Sequence, residues 1–193
     1  MGNKKIIIGI TGGFGSGKTS AADFLRDQGF VRISLVQFLE EDLKELGIRN
    51  ITRKILQDLG NEWREKFGQG ILAKKALLLI KKNKIKKAVV DGFRNIGEIE
   101  EFRKEGNFTL IGIVVNRDVR FKRIKKLKRR EKLTWDLFNK LDSRDLGVNE
   151  ENNGLQVALC LAFADIFVEN NGGIEDLREK MRKTVIDIEK KYE

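Results

Sequence analysis

Residues 12–19, with the sequence GGFGSGKT, constrain the fold of this chain more than any other segment. They match the pattern G-x-x-x-x-G-K-[ST], in which glycines let the backbone wrap around an anion with several N–H groups pointing inward. The apolar run Lys5–Ile10 before it predicts a strand, and residues 19–28 after it have the pattern of an amphipathic helix. This order predicts a phosphate-binding loop at the positive end of a helix dipole, and the alternative is a glycine-rich turn with an incidental lysine.

The positions of the loop have separate chemical roles in this prediction. Lys18 would reach the β- and γ-phosphates of a nucleotide, and the Thr19 hydroxyl would bind Mg²⁺. ATP and Mg²⁺ are therefore the expected ligands. The ATP-binding residues predicted from this segment are Gly12, Gly13, Phe14, Gly15, Ser16, Gly17, Lys18, Thr19 and Ser20.

Strand-like and helix-like segments alternate along the rest of the chain. Further strands are predicted at 30–33, 88–91, 109–115 and 164–169. Helices are predicted at 36–46, 52–66, 69–82, 96–104, 118–129, 134–145, 152–162 and 174–191. The near-continuous apolar runs IIIGI, AVVDG and LIGIVV favour strands that are buried on both faces. The pattern therefore predicts a single three-layer α/β domain over 1–193, with a five-stranded parallel sheet between helices and a small helical lid.

The composition narrows the classes of function. The chain has no histidine, which excludes an imidazole base and a histidine-ligated zinc site. Its one cysteine, Cys160, is expected to be a small buried apolar residue, and a single cysteine excludes an internal disulfide. The apolar run near the N-terminus is too short for a signal peptide or a membrane span. We therefore expect a soluble cytoplasmic protein with no membrane partner.

A second chemical position follows the predicted strand AVVDG. Asp91 ends this strand, and in a parallel sheet it would lie at the same edge as the phosphate-binding loop. A carboxylate there can hold Mg²⁺ through water or accept a proton from a nucleophile, and the nearby Arg94 can bind an acceptor phosphate. The alternative makes Asp91 the N-cap of the next helix and Arg94 a surface charge.

Three segments together resemble the nucleoside monophosphate kinases among P-loop proteins: GGFGSGKT, DGFRN after the third strand, and an arginine-rich segment after the fourth. The stretch RKILQDLGNEWR at 53–64 is similar to the R-x-x-L-Q-x-x-G segment of deoxynucleoside monophosphate kinases. Dephospho-CoA kinases and an archaeal group of kinase-like proteins resemble the chain more loosely. The resemblance implies a P-loop NTPase fold and ATP-dependent phosphoryl transfer to a small phosphorylated acceptor.

The predicted helix at 52–66 carries polar residues at helical spacing along one face. Two arginines there would bind the acceptor phosphate while a glutamine reads a base edge, and the alternative is a solvated charged face. We expect the acceptor-binding segment to span 34–84. With Arg94, the predicted acceptor-binding residues are Ser34, Gln37, Arg53, Gln57 and Arg64.

The segment 117–148 has the densest positive charge and is the predicted lid. The resemblance places lid arginines at Arg129, Arg130 and Arg144, where they would stabilise transition-state charge. Most of the lysines in the segment are expected to be solvated charge. The predicted catalytic residues are Lys18, Asp91, Arg130 and Arg144, and the predicted metal ligands are Thr19 and Asp91.

The resemblance also implies that the loop after the last strand touches adenine through backbone groups of Asn170 and Gly172; the alternative is an ordinary turn with a helix cap. A (deoxy)nucleoside monophosphate is the favoured acceptor, and dephospho-CoA, whose sugar hydroxyl attacks, is the alternative. A rival of another class is a nucleotide-binding switch or RNA-associated ATPase, which the net charge of +10 keeps open. A nucleic-acid partner is not favoured, because Phe121 is expected on the apolar face of its helix, which leaves Trp135 and Phe138 as the aromatic residues of the basic segment for base stacking. The sequence makes no prediction of oligomeric state.

Overall fold

The computed structural model describes residues 5–127 and 133–192, and the five strands found there form one parallel sheet. The strands are β1 (Ile6–Gly12), β2 (Val31–Ser34), β3 (Lys87–Asp91), β4 (Phe108–Val114) and β5 (Ile166–Glu169). Their order across the sheet is β2-β3-β1-β4-β5. The predicted α/β architecture, a five-stranded parallel sheet with helices on both faces, is confirmed.

Helices connect the strands, as parallel pairing requires. The helices are α1 (Lys18–Asp27), α2 (Leu35–Glu45), α3 (Arg53–Phe67), α4 (Ile71–Lys82), α5 (Ile96–Arg103), α6 (Arg117–Leu127), α7 (Trp135–Leu146), α8 (Val157–Ala162) and α9 (Ile174–Tyr192). Within the described ranges, no helix combines the length and the apolar character that crossing a bilayer requires.

One predicted helix boundary is wrong. The helix expected at 152–162 begins only at Val157, because the preceding residues bind the loop before α5 instead. Asn95 donates from Nδ2 to the carbonyl oxygens of Asn152, at 3.1 Å, and Gly154, at 2.8 Å. The Gln156 N–H donates to the carbonyl oxygen of Arg94 at 2.6 Å. These carbonyl and amide groups are thus used between segments and not within a helix.

The apolar core lies on both faces of the sheet. The side chains of β1 alternate between the two faces, with Ile7 in one cluster and Ile6, Ile8 and Ile10 in the other. The first cluster is covered by α2, α4, α5 and α8, and it includes the fully buried Cys160, as predicted. The second is covered by α1 and α9. Burial on both faces explains why these strands lack polar alternation.

The strand register aligns the ends of three neighbouring strands. Ile10 of β1 pairs with Asp91 of β3, and Asp91 pairs with Ser34 of β2. The carboxyl ends of β1, β3 and β2 therefore meet at one edge of the sheet. That edge is where open α/β folds bind ligands, and the glycine loop between β1 and α1 begins there.

Candidate phosphate and acceptor site

At Gly15 and Gly17 the glycine loop has a backbone that only glycine adopts without strain. Gly15 has φ +83° and Gly17 has φ +96°, both in the left-handed region. A Cβ on Gly15 would lie 2.9 Å from the carbonyl oxygen of Arg120, and a Cβ on Gly17 would lie 2.5 Å from Nδ2 of Asn170. The loop is therefore enclosed by α6 on one side and by the segment after β5 on the other.

Lys18 folds its side chain back over the loop. Its Nζ donates to the carbonyl oxygens of Gly12, at 2.6 Å, and Gly13, at 2.9 Å. Burial, together with the positive charges of Arg94 and Arg53, lowers the pKa of Lys18 to about 7. An ammonium held among other cations is suited to a polyanion, which would restore its ordinary protonation.

Ser16 supplies a second indication of a ligand. Its Oγ is buried and has no hydrogen-bond partner among the described residues. A buried hydroxyl without a partner is uncommon, since its desolvation costs about 1–3 kcal/mol. Thr19 lies exposed in the first turn of α1, beyond Lys18. The loop thus fits a nucleotide polyphosphate with its magnesium ion: it has an orphan hydroxyl, a confined ammonium, a free threonine and a glycine cradle.

Asp91 is held at the end of β3 by groups from β2. Its Oδ2 accepts hydrogen bonds from Arg32 Nε at 2.9 Å and Nη2 at 2.7 Å, and its Oδ1 accepts one from Ser34 Oγ at 2.8 Å. Burial disfavours the charged form of Arg32, but the Asp91 carboxylate outweighs this and raises its pKa. Gln37 accepts from the Ser34 N–H at 3.2 Å, which caps α2. Asn95, not Asp91, is the N-cap of α5, so the capping alternative for Asp91 is wrong.

The polar face of α3 points inward. Gln57 is 2% exposed and Arg64 is 1% exposed, whereas the apolar Phe67 at the end of α3 is 58% exposed. The alternative of a solvated charged face is therefore wrong. With Arg53 and Arg94, these residues line a cavity whose other walls are the side chains of Val36, Leu39, Leu56, Leu72 and Leu155. Arg94 is largely buried, so it is not a surface charge.

A carboxylate from α7 binds three of the residues that line this cavity. Asp145 accepts hydrogen bonds from Arg53, from Gln57 Nε2 at 2.8 Å and from Arg94 Nη1 at 2.7 Å. The Arg53 guanidinium also lies 4.0 Å from the ring centroid of Phe14, which belongs to the glycine loop. The three predicted acceptor residues Arg53, Gln57 and Arg94 are thus brought together next to the phosphate loop.

Arg64 has different partners from the other predicted acceptor residues. Its Nε donates to Glu98 Oε1 at 3.2 Å, and its Nη1 donates to Asn61 Oδ1 at 3.1 Å. Glu98 in turn accepts from the N–H groups of Arg94 and Asn95 at the start of α5. Arg64 therefore joins α3 to α5 through a buried ion pair while it forms one wall of the cavity.

Arg120 from α6 lies directly against the glycine loop. Its guanidinium donates to the carbonyl oxygen of Phe14 at 3.1 Å and to both carboxylate oxygens of Asp142 on α7. The Phe14 ring stacks on Phe138 of α7 with centroids 5.8 Å apart. The predicted lid segment is thus closed over the loop by a polar and an aromatic contact.

Of the three predicted lid arginines, the structure describes only Arg144. Arg144 pairs with Asp58 at 2.5 Å and with Glu150 at 2.6 Å, at the outer side of α3 and α7. Arg129 and Arg130 lie outside the described residues. Their catalytic role, and that of Arg144, stays a prediction.

The loop after β5 contacts the glycine loop through a side chain. Asn170 donates from Nδ2 to the carbonyl oxygen of Ser16 at 2.9 Å. The backbone carbonyl oxygens of Asn170 and Gly172 accept from Arg123 at 2.7 and 2.6 Å. The contact of these two backbones with adenine stays a prediction. If their carbonyl oxygens accept hydrogen bonds from adenine, Arg123 has to share these oxygens or release them.

Sequence reasoning missed three residues of the site: Arg32, Arg120 and Asp145. Arg32 lies in the strand next to that of Asp91, and its position two residues before the end of β2 was a usable signal. Arg120 is one of twelve basic residues in the segment 117–148, and nothing in the sequence separates it from the others. Asp145 meets Arg53 from 92 positions away, which no local pattern reveals.

Solved structures with this fold include P-loop kinases. A shikimate kinase from Acinetobacter baumannii, in complex with shikimate, matches with a TM-score of 0.59 at 14% identity, over 96% of this chain and 95% of that one. A dephospho-CoA kinase from Campylobacter jejuni matches with a TM-score of 0.52 at 18% identity, over 95% of this chain and 97% of that one. These likenesses confirm the P-loop kinase fold expected from the sequence.

Curated proteins of archaea are more similar in sequence. A UPF0200/UPF0201 protein from Archaeoglobus fulgidus is 33% identical over 184 residues, which are 92% of this chain, and the chain spans only 54% of that relative's length. A UPF0200 protein from Sulfurisphaera tokodaii is 35% identical over 179 residues, which cover 90% of this chain and 92% of the relative. No family model matches the chain. On the full-length match, the chain belongs to the UPF0200 family.

Proposed function

We propose that this protein is an ATP-dependent phosphotransferase whose acceptor is a nucleoside or deoxynucleoside monophosphate. The observation that carries the proposal is the adjacency of two cationic groups of different shape. One is the glycine loop with Lys18. The other is the pair Arg53 and Arg94, joined through Asp145, with the Arg53 guanidinium 4.0 Å from the ring centroid of Phe14 in the glycine loop. Two neighbouring phosphate sites are what transfer between two phosphorylated molecules requires.

The loop residues have the donor role in this proposal. Lys18 would exchange its bonds to the Gly12 and Gly13 carbonyls for the β- and γ-phosphate oxygens of ATP. The orphan Ser16 Oγ would donate to a phosphate oxygen. Thr19 would bind Mg²⁺ directly and Asp91 would hold it through water; the ion neutralises charge on the transferred group.

The cavity beside α3 has the acceptor role. Arg53 and Arg94 would bind the acceptor phosphate, while Gln57 offers an amide that can read a base edge. Leu39, Leu56 and Leu72 supply an apolar wall on which a base can pack. Ser34 and Gln37 are turned toward Asp91 and the start of α2, so they would act on the acceptor through Asp91.

The contacts of Asp91 favour a phosphate over a hydroxyl as the attacking group. A hydroxyl acceptor, as in dephospho-CoA, needs a base to take its proton, whereas a phosphate dianion does not. Both oxygens of Asp91 already accept hydrogen bonds from Arg32 and Ser34. A metal-positioning role is compatible with these bonds, and a role as base would require one of them to break.

A panel of acceptors tests the proposal. The purified protein is incubated with ATP and Mg²⁺ and with each of the common ribo- and deoxyribonucleoside monophosphates, dephospho-CoA and shikimate, and both ADP and the phosphorylated product are measured. We expect transfer to at least one monophosphate, and Lys18→Ala should abolish it while the circular dichroism spectrum is unchanged. Transfer only to dephospho-CoA would replace the proposed acceptor by the runner-up.

The rival class of function has its own outcome in this assay. If every small acceptor gives only slow hydrolysis, and if RNA stimulates that hydrolysis with steep dependence on salt, the protein is an RNA-associated ATPase and the kinase proposal is wrong.

A further inference from the structure

The carboxylate of Asp145 lies where the proposed function needs the acceptor phosphate. It is 1% exposed and accepts hydrogen bonds from Arg53, Gln57 and Arg94, which come from α3 and from the loop after β3. A carboxylate and a phosphate offer the same kind of oxygen acceptors to a guanidinium. The described site therefore already holds an anion, and that anion belongs to the protein.

While Asp145 is bonded to Arg53, Gln57 and Arg94, the cavity that these three residues line is too small for a nucleotide, so the proposed acceptor can enter only if Asp145 moves away. The free space of this cavity is about 20 Å³, which is enough for one water molecule. Two polar atoms in its wall, Arg53 Nε and Gln57 Oε1, are buried without a partner in the described part of the chain. Unpartnered groups of both kinds, one donor and one acceptor, indicate a site that a polar ligand completes.

We propose that Asp145 is a specificity-determining residue, which holds the acceptor-phosphate position until a phosphate dianion replaces it and so excludes acceptors that carry only a carboxylate. The inference rests on the proposed function, because it concerns the acceptor of that reaction. It assigns to α7 a part in acceptor choice in addition to its place over the glycine loop.

Charge explains the discrimination. Among the described residues, the guanidinium groups of Arg53 and Arg94 share one carboxylate, that of Asp145, as their ion-pair partner. A phosphate dianion compensates both, whereas a carboxylate compensates one and gains nothing over Asp145. Asp145 is also tethered, so its effective concentration at the arginines is at least on the order of millimolar, and a free carboxylate has to exceed it to compete.

The ionisation of Asp145 supports this view. Burial disfavours the charged carboxylate, but the charges of Arg53 and Arg94 outweigh burial and lower the pKa of Asp145 to about 2. The residue is therefore negative at every pH at which the protein would work. A ligand therefore has to displace the ionised carboxylate, because protonation does not weaken its bonds to the arginines.

Asp145→Asn tests the inference, because asparagine keeps the shape and removes the charge. With a non-hydrolysable ATP analogue and Mg²⁺ filling the glycine loop, inorganic phosphate and sodium acetate are titrated by calorimetry. We expect the variant to bind phosphate about tenfold more tightly than the parent protein and to gain measurable acetate binding. Adding Arg94→Gln to the variant should remove both gains.

Asp165→Asn is the matched control. Asp165 also pairs with an arginine, Arg103, but at the opposite end of the sheet. The Asp165→Asn variant should have the same affinity for phosphate and for acetate as the parent protein. Phosphate affinity in a folded Asp145→Asn variant that equals or falls below that of the parent would overturn the inference.

A measurement on the parent side chain guards against a variant that fails to fold. Trp135 begins α7, so in a Trp63→Phe background its fluorescence reports the position of that helix. Inorganic phosphate should shift its emission, and acetate at equal ionic strength should not; binding of phosphate without a shift, or an equal shift with acetate, would contradict the displacement. None of these measurements needs turnover, so they are independent of the acceptor panel. If no acceptor in that panel is phosphorylated but the anion titrations give the expected results, the proposed function is rejected and the role of Asp145 as the internal anion is kept.

Discussion

The side chain of Asn170 ties the last strand to the first loop: its Nδ2 lies 2.9 Å from the carbonyl oxygen of Ser16, 154 positions away in the chain. Asn170 is 4% exposed, and a Cβ on Gly17 would collide with the same amide. The shape of the glycine loop therefore depends on a residue that the phosphate-binding motif does not contain.

Asn170→Ala is expected to weaken the nucleotide site. It leaves the Ser16 carbonyl without its partner, at a cost of about 1–3 kcal/mol, and should lower both the melting temperature and the affinity for an ATP analogue. Asn171→Ala is the control, since Asn171 bonds only at the surface, to the Asn116 N–H and to Glu169. Equal losses in both variants, by thermal melting and calorimetry, would show that the Ser16 contact has no special role.

Lys18 makes nucleotide binding depend on pH. Its pKa is about 7 in the free protein, and neighbouring phosphates would raise it, so binding takes up a proton above that pH. Affinity for ATP should therefore fall as pH rises from 7 to about 9, and calorimetry in buffers of different ionisation enthalpy should show proton uptake. Lys18→Arg, whose guanidinium stays charged, should show no uptake. Proton release on binding by the parent protein would refute the assignment.

Asp91→Asn should slow phosphoryl transfer with little effect on folding. We expect the turnover number to fall by about a hundredfold and the Mg²⁺ concentration for half-maximal rate to rise, since the variant loses a charge beside the metal position. Asp23→Asn is the control, because Asp23 also pairs with Arg32 but is 36% exposed in its side chain and lies outside the site. Steady-state rates over a series of Mg²⁺ concentrations distinguish the two variants. A Mg²⁺ dependence unchanged in Asp91→Asn would contradict the metal role.

Substitutions of Arg53 and Arg64 should have different effects, because Arg53 is expected to bind the acceptor and Arg64 to stabilise the fold. Arg53→Gln is expected to raise the KM for the acceptor about tenfold, because it removes a charged partner of the phosphate. Arg64→Gln should instead lower the free energy of unfolding by about 3–5 kcal/mol, because it leaves Glu98 buried and unpaired. Adding Glu98→Gln should restore part of that stability. A large KM effect from Arg64→Gln at unchanged stability would reverse these roles.

The sequence was most informative where function needs a local pattern. The glycine loop is such a case, since its strand, turn and helix are contiguous, and Asp91 followed from the rule that parallel strands end at one edge. From the sequence, one face of α3 could be predicted to be polar, but its burial could not be predicted. Spacing shows which residues share a face, and only packing against α5 and α7 decides whether that face meets solvent.

The partners of the arginines could not be read from the sequence for a physical reason. Asp142 and Asp145 lie one helical turn apart on α7 and meet Arg120 and Arg53 respectively, across separations of 22 and 92 residues. In the sequence, both residues have the pattern of solvated acidic residues on a polar helix. Their burial depends on α7 lying over the glycine loop, a tertiary contact that local periodicity does not encode.

The central position of β1 has a consequence for how the protein is made. Residues Ile6–Ile10 pair with Lys87–Asp91 on one side, and Ile7–Gly12 pair with Phe108–Ile113 on the other. Both partner strands of β1 are synthesised after it, so its apolar residues stay unpaired until synthesis has passed residue 113. Such late, non-local pairing slows folding and exposes the nascent strand to aggregation, so the segment that precedes the glycine loop is the one that a chaperone would most need to shield.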